Sequence, residues 1–368
     1  MSAGEPIGGL AGNSSPWAGR TLANLLAAHG LSESPEREFP NDGWSGATLT
    51  ALDGPDGRFV LKRTSWAADW VARSTRDHAL REAVLAADPV PLPMPLSSAH
   101  LGAAADGTAA AILMPDLSAW LIPWDRGEGM AAIISGETLD RVLEAAATIH
   151  AMPWAQLRNH DAGDPGRPTW PWCPIRERIQ LLSRSAAERY RAGGLWVGER
   201  FLSGWDQFDR RASPAAVALI AAMAADPAPL IDALAVLPAT GLHGDLKLAN
   251  VALLPAGRAA CIDWQMTTFA PIALEMGWFL VSNVAQLDLA PDRVLDRYRA
   301  ALERAGGGAF VGDWDAQRDL AIVVGLVLRG WRKGLDADAG VTLPTGATAA
   351  AALAWWCDEA VEAAARRL

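Results

Sequence analysis

The chain has 368 residues, 51 % of them apolar, enough for two domains with cores of their own and too apolar for a chain disordered throughout. Forty-two acids against 32 bases leave a net charge of −10. The excess is spread along the chain, with 13 acids and 8 bases in residues 1–116, so no basic face for a nucleic-acid backbone is expected.

Taken in order, the first thirty residues lack a basic start followed by a continuous apolar stretch, so no signal peptide is expected. A short helical pattern over 21–28 stops at Gly30, and residues 1–37 read as a lead-in segment. From Glu38 the pattern turns to short β-type runs. Residues 47–52 and 58–62 flank Gly54-Pro-Asp-Gly57, a turn composition that predicts a hairpin. A helix is predicted over 74–87, with Ser74 or Thr75 as N-cap and Asp88-Pro89 ending it. Two further apolar runs, around Met94 and over 109–114, are expected to complete a small antiparallel sheet.

After Met114 the character changes to helices, predicted over 137–151, 174–192, 215–225, 291–305, 319–334 and 347–368, with a Gly/Pro-rich break at 161–171. Strands and helices in separate blocks predict an α+β protein of two lobes, 38–116 and 117–368. The most apolar run, 320–328, is about half of the ~20 residues needed to cross a bilayer, so it reads as a buried helix and no membrane association is expected. Cys173, Cys261 and Cys357 are odd in number and far apart, which predicts buried free thiols in a reducing, cytoplasmic setting.

The chemistry concentrates in Leu242-His-Gly-Asp-Leu-Lys-Leu-Ala-Asn250, a Pro255-Ala-Gly257 turn, and Ala260-Cys-Ile-Asp-Trp264. Two apolar runs around a turn predict a hairpin that brings Asp245, Asn250 and Asp263 together. Two carboxylates and an amide at one mouth form an oxygen-rich site suited to a hard cation such as Mg²⁺.

His243-Gly-Asp-x-x-x-x-Asn250 with Ile262-Asp-Trp264 resembles the catalytic loop and metal-binding motif of the aminoglycoside phosphotransferase family, itself related to choline kinases and more distantly to protein kinases. The resemblance implies a bilobal protein-kinase-like fold with a nucleotide-binding N-lobe. It implies that Asp245 accepts or orients the acceptor hydroxyl, that Asn250 and Asp263 hold Mg²⁺ against the phosphates of ATP or GTP, and that His243 braces the loop. It further assigns Lys62, at the end of the hairpin, to the α- and β-phosphates, with Glu82 as its partner. Gly43, Ser45 and Gly46 fall in the phosphate-covering turn, where Trp44 departs from expectation. Met114 and Leu117 fall in the interlobe linker, whose backbone reads the adenine edge.

Lysine usage supports two of these positions independently. The chain has only three lysines, Lys62, Lys247 and Lys333, against 29 arginines, and two of the three lie at motif positions. An ammonium contacts a phosphate as a compact point charge, which an arginine fork does not reproduce. Lys247, two residues past Asp245, is placed to neutralise the γ-phosphoryl oxygens. His150 reads as a packed, hydrogen-bonded core histidine, and the six histidines form no close ligand cluster in sequence.

Together these features predict a small-molecule phosphotransferase that moves the γ-phosphoryl group of a nucleoside triphosphate to a hydroxyl. The alternative is a catalytically inactive kinase-like nucleotide-binding or scaffold protein. Gly244 in place of an arginine, and eleven residues between Asp263 and Glu275, argue against a protein kinase. A cationic or sugar-like acceptor is expected from the acids Asp313, Asp315, Asp319, Asp336, Asp338, Asp358, Glu359 and Glu362, some of which should face the cleft, with Trp314, Trp331 and Trp355 as stacking faces.

Overall fold

A computed structural model describes residues 15–41, 43–123, 133–157 and 170–368. Asp42, His160 and most of the 161–171 break lie outside the described residues.

The Pro55-Asp56 turn closes strands β2 (Thr48–Gly54) and β3 (Gly57–Thr64) into the expected hairpin, with Gly57 taking a φ of +126° that its lack of a side chain permits. With β1 (Arg37–Glu38), β4 (Gly102–Asp106) and β5 (Ala109–Pro115) they form an antiparallel sheet in the order β1-β2-β3-β5-β4. Alternation along β3 and β5 sorts the side chains between the two faces. Leu61 and Leu113 pack with Leu22 and Leu25 of helix α1 (Leu22–Ala28). Val60, Ile112 and Met114 pack with Leu80 and Ala83 beside helix α3, which spans Arg81–Ala87. Lys62 shares the parity of Val60, and this delivers it to the α3 side.

Two expectations are corrected in this region. The run around Met94 is no strand, because Pro89, Pro91, Pro93 and Pro95 lack the N–H groups a ladder needs. The segment instead reaches the other lobe, where Ser97 N donates to Ala259 O at 2.8 Å and Ala259 N to Pro95 O at 2.9 Å. Its place in the sheet is taken by β4. The helix predicted over 74–87 is two pieces, α2 (Trp70–Ser74) and α3, separated where Arg76 and Leu80 adopt left-handed φ values of 54° and 56°. The first is capped by Asp69, whose side chain accepts from Ala72 N, so neither Ser74 nor Thr75 is the N-cap.

The remainder is mainly helical: α4 (Gly136–Ala151), α5 (Trp154–Leu157), α6 (Ile175–Gln180), α7 (Arg184–Ala192), α8 (Trp196–Arg211), α9 (Pro214–Ala225), α10 (Ala228–Ala235), α11 (Ile272–Ser282), α12 (Pro291–Arg304), α13 (Trp314–Asp338) and α14 (Ala349–Arg367). The helix predicted over 174–192 is broken at Ser183, whose hydroxyl caps α7 by accepting from Ala186 N. Buried α11 and α13 sit at the centre of a single large apolar core. No single described helix is long and apolar enough to cross a membrane; α9 and α10 meet that test only as a pair bent by 85°. The three cysteines are buried and free.

Two short hairpin-like pairs carry the motif residues. Strand β6 (Ala239–Leu242) pairs with β9 (Thr268–Pro271), and β7 (Val251–Leu253) pairs with β8 (Ala259–Cys261). Ala256 and Gly257, both at positive φ, make the turn between β7 and β8.

Candidate active site

The loop from Leu242 to Asn250 is shaped by backbone geometry before any side-chain chemistry. Gly244 has a φ of +86°, and a Cβ there would stand 1.8 Å from Met266 O, so only glycine fits. His243 bridges the loop to the second motif: its Nε2–H donates to Ile262 O at 2.9 Å, while Nδ1 accepts from Asp245 N at 3.3 Å. Asn250 lies immediately before β7 and Asp263 just after β8, and Ile262 N donates to Asn250 O at 2.9 Å across the pair. Asp263 is itself left-handed, at φ 66° and ψ 58°, a conformation that asparagine and aspartate tolerate better than most residues.

Beneath the loop lies a network centred on Glu275, in the first turn of α11 and 1 % exposed. Its carboxylate accepts from His150 Nε2 at 2.7 Å, from His243 N at 3.0 Å and from Gly244 N at 2.5 Å. The other nitrogen of His150 lies 2.6 Å from the Tyr298 hydroxyl. Burial disfavours the Glu275 carboxylate, but the hydrogen bond and charge of His150 outweigh it and hold its pKa below the usual value. His150 is therefore a fully buried, doubly hydrogen-bonded core residue. In sequence Glu275 marks only the end of a short interval after Asp263, since nothing local identifies a helix-start glutamate as the anchor of a loop thirty residues upstream.

The motif side chains converge. Asn250 Nδ2 donates to Asp245 O at 2.9 Å and to Asp245 Oδ2 at 3.1 Å, and Lys247 Nζ donates to the same Oδ2 at 3.1 Å. Burial again opposes the Asp245 carboxylate, while the positive charges of Lys247 and Arg178 outweigh it and lower its pKa. On the sheet side, Lys62 Nζ donates to Glu82 Oε2 at 2.6 Å and to Asp263 Oδ1 at 2.8 Å, joining the two lobes. Burial works against the ammonium, but Asp263 and Glu82 reverse the effect and raise its pKa. Glu82 is held well below the usual carboxylate range despite its burial, by Lys62 and by His100, whose Nε2 lies 3.2 Å away. His100 is a second site neighbour that sequence reasoning missed.

The turn carrying Gly43, Ser45 and Gly46 lies between β1 and β2. Gly46 has a φ of +101°, and a Cβ there would come within 2.5 Å of Ala68 O. Ser45 O accepts from Trp70 N at 3.0 Å, and Gly43 N donates to Asn41 Oδ1 at 2.9 Å. Trp44 acquires a packing explanation: its ring sits edge-on to Trp196 of α8, with centroids 4.9 Å apart, and Arg200 lies over it at 5.4 Å. Met114 is buried in β5 against Val60, and Leu117 follows in the linker, where its carbonyl accepts from Trp120 N and Leu121 N. Leu117 joins Ala99, Ala252, Ala260 and Ile262 in a small apolar cluster beside the linker.

Six of the eight acids named for an acidic wall beyond Asp245 are engaged within the protein. Asp319 pairs with Arg366 and Arg367 at 2.8 and 2.9 Å, Asp336 with Arg332 at 2.9 Å, Asp338 with Arg211 at 2.9 Å and Glu359 with Arg318 at 2.9 Å. Glu362 faces Arg366 at 3.7 Å, and Asp313 caps α13. With 29 arginines in the chain, these helix-borne acids find partners on neighbouring helices. Trp331 is buried, 2 % exposed, and packs on Phe201 with centroids 4.8 Å apart.

Among the described residues no group of three or more His, Cys, Asp or Glu forms a ready-made metal cage. One carboxylate and one amide, Asp263 and Asn250, instead fit a cation such as Mg²⁺ that keeps waters and shares phosphate oxygens.

A profile described as the phosphotransferase enzyme family, APH, matches residues 36–320. A search of curated protein sequences gives no significant match. Among solved structures, the choline kinase of Cryptosporidium parvum Iowa II is 10 % identical, with 91 % of this chain and 89 % of that one covered at a TM-score of 0.48. The choline kinase LicA of Streptococcus pneumoniae is 9 % identical over 94 % and 98 % of the two chains, at 0.45. The macrolide 2'-phosphotransferase MphH of Brachybacterium faecium is 17 % identical over 92 % and 97 %, at 0.41.

Proposed function

Since the chain belongs to the phosphotransferase enzyme family, we propose that it is a Mg²⁺-dependent small-molecule kinase that transfers the γ-phosphoryl group of ATP or GTP to a hydroxyl of its acceptor. The observation that carries this reading is the convergence of Asp245, Asn250, Asp263 and the Lys62–Glu82 pair at one place between sheet and helices. In this reading residues 38–116 bind the nucleotide, residues 117–368 supply the catalytic loop and acceptor site, and residues 1–37 lead into the first. The same reading takes the cytoplasm, where nucleoside triphosphates are plentiful, as its setting.

The residues divide the work. Lys62, held by Glu82, meets the α- and β-phosphates; Gly43, Ser45 and Gly46 lie over them; and the backbone between Met114 and Leu117 borders the base. Asn250 and Asp263 would hold Mg²⁺, which when bound offsets phosphate charge. Asp245 accepts or orients the acceptor hydroxyl: its oxygen attacks the γ-phosphorus, the proton passes to Asp245, and the bond from the γ-phosphorus to the β–γ bridging oxygen breaks to release ADP or GDP. Lys247, 3.1 Å from Asp245, is placed to stabilise charge on the transferred group.

The deciding experiment measures melting with and without MgATP or MgGTP, and ADP or GDP release with a panel of hydroxylated small molecules. Metal-dependent stabilisation with acceptor-stimulated release supports a kinase. Neither effect, with any nucleotide, would instead favour an inactive scaffold.

A further inference from the structure

Next to Asp245 lies a group of side chains that the proposed transfer chemistry does not use. Arg178 of α6 is 2 % exposed; its Nε donates to Gly244 O at 3.1 Å, and its Nη1 has no partner among the described residues. The guanidinium of Arg178 lies over the Trp278 ring at 4.5 Å, and that of Arg329 lies over the same ring at 5.3 Å and over Trp331 at 5.7 Å. Arg329 Nε, Trp278 Nε1 and Trp331 Nε1 are likewise buried without acceptors. Three helices, α6, α11 and α13, thus bring four unsatisfied N–H donors together.

A buried donor left unpaired is costly, more so when it belongs to a charged group, so this cluster calls for acceptors that the described side chains do not supply. That partner must be rich in acceptors. Among the described residues neither arginine has an ion pair within 4.0 Å, and Asp245, the motif carboxylate whose charge both of them feel, is engaged by Lys247 and Asn250. Asp336, the other acid felt by Arg329, is bound to Arg332. Positive charge is in surplus here: burial and then Arg332 push Arg329 down to about 10, and Arg200 adds repulsion. Arg329 sits where α13 departs from helical geometry, at φ −136° and ψ 19°, and the break sets it apart from the rows of the regular helix.

We infer that the acceptor of this enzyme is an anionic alcohol, whose carboxylate or phosphate is bound by Arg178 and Arg329 with the Trp278 and Trp331 N–H groups while its hydroxyl meets Asp245. The inference rests on the kinase reading for the identity of the bound molecule as acceptor. The two guanidiniums over the Trp278 ring suit an oxyanion by charge and by planar donor geometry, and would repel the amino sugar or amino alcohol expected from sequence.

Calorimetric titration of the full chain with glycerate, glycerol 3-phosphate, choline and kanamycin tests it, followed by the same compounds as acceptors with MgATP. One of the two anions is expected to bind, glycerate if the group is a carboxylate and glycerol 3-phosphate if it is a phosphate. Arg329→Gln should weaken that binding roughly 30-fold or more, with Arg329→Lys recovering part of the loss. Trp331→Phe, which keeps an aromatic side chain but exchanges the indole and its N–H for a smaller phenyl ring, should weaken it by about ten-fold, and a melting curve of each variant guards against one that fails to fold. Binding or phosphorylation of choline or kanamycin in place of both anions would overturn the inference and leave the kinase reading standing. Anion binding without phosphoryl transfer from any nucleotide would do the reverse. If Arg329→Gln weakened MgATP and spared the anion, the arginines would serve the nucleotide phosphates and the inference would fall.

Discussion

Replacing Glu275 by glutamine tests whether the buried network, rather than the loop's own sequence, holds Asp245 in place. Oε2 of Glu275 accepts from His150 and from His243 N, while Oε1 accepts from Gly244 N. A glutamine can present only one oxygen, so either amide orientation leaves at least one backbone N–H of the loop facing an NH₂ group. Losing one partner of a buried charged network costs about 3–5 kcal/mol. An unfolding entropy near 2.1 cal/mol/K per residue gives about 0.8 kcal/mol/K for this chain, so the melting midpoint should fall by about 4–6 °C. Because the stranded N–H groups flank Asp245, turnover should fall more than nucleotide affinity. Calorimetric melting, nucleotide titration and steady-state kinetics on the purified variant measure all three. A midpoint within about 1 °C of the parent, with unchanged turnover, would show that the loop keeps its shape without this anchor.

Asp245→Asn should fold normally, since the amide oxygen can still accept from Asn250 and Lys247, yet lose transfer by about two orders of magnitude or more because it cannot take the acceptor proton; parental rates would refute the role. Asp263→Ala should abolish Mg²⁺-dependent turnover, and Asn250→Ala should only raise the Mg²⁺ needed, because a carboxylate supplies charge and an amide a dipole; an unaltered metal titration in both would place the cation elsewhere. Lys62→Arg should impair turnover although charge is kept, because Nζ sits 2.6 Å from Glu82 and 2.8 Å from Asp263 in a space too confined for a planar fork. Unchanged kinetics there would remove Lys62 from the site.

Where the local sequence dictates the backbone, it is readable. The hairpin over 48–64 follows from a Gly-Pro-Asp-Gly turn between β-type runs, and the β7–β8 hairpin from a Pro-Ala-Gly turn whose Ala256 and Gly257 take positive φ. Helices were harder. The segment 272–282 is buried on every side and so shows no amphipathic period. Helix α8 contains Gly198 and Gly204, which read as helix breakers but serve close packing: a Cβ at Gly198 would meet Arg191 N at 2.3 Å, and one at Gly204 would meet Trp331 O at 2.6 Å. Strand β4, Gly-Ala-Ala-Ala-Asp, has none of the β-branched residues that announce a strand, and it exists because β5 offers it an edge.

The same division runs through the site. Asp245, Lys247, Asn250 and Asp263 lie within twenty residues of one another, and Lys62 stands out because lysine is scarce, so their convergence could be read from the chain. Arg178, Glu275, Trp278 and Arg329 come from three helices and have no local signature, although Arg178 and Glu275 bind the Gly244 backbone beside Asp245. Charge shows why the second group decides more than the first. Counting acids in the C-terminal helices pointed to a cationic acceptor, but an acid counts toward a ligand only if no arginine neutralises it first, and in a chain with 29 arginines Asp319, Asp336, Asp338 and Glu359 are neutralised on the spot. What remains uncompensated next to Asp245 is positive. On the proposal above, specificity follows the charge left after internal pairing, and here Arg178 Nη1, Arg329 Nε and two indole N–H groups have no acceptor among the described residues.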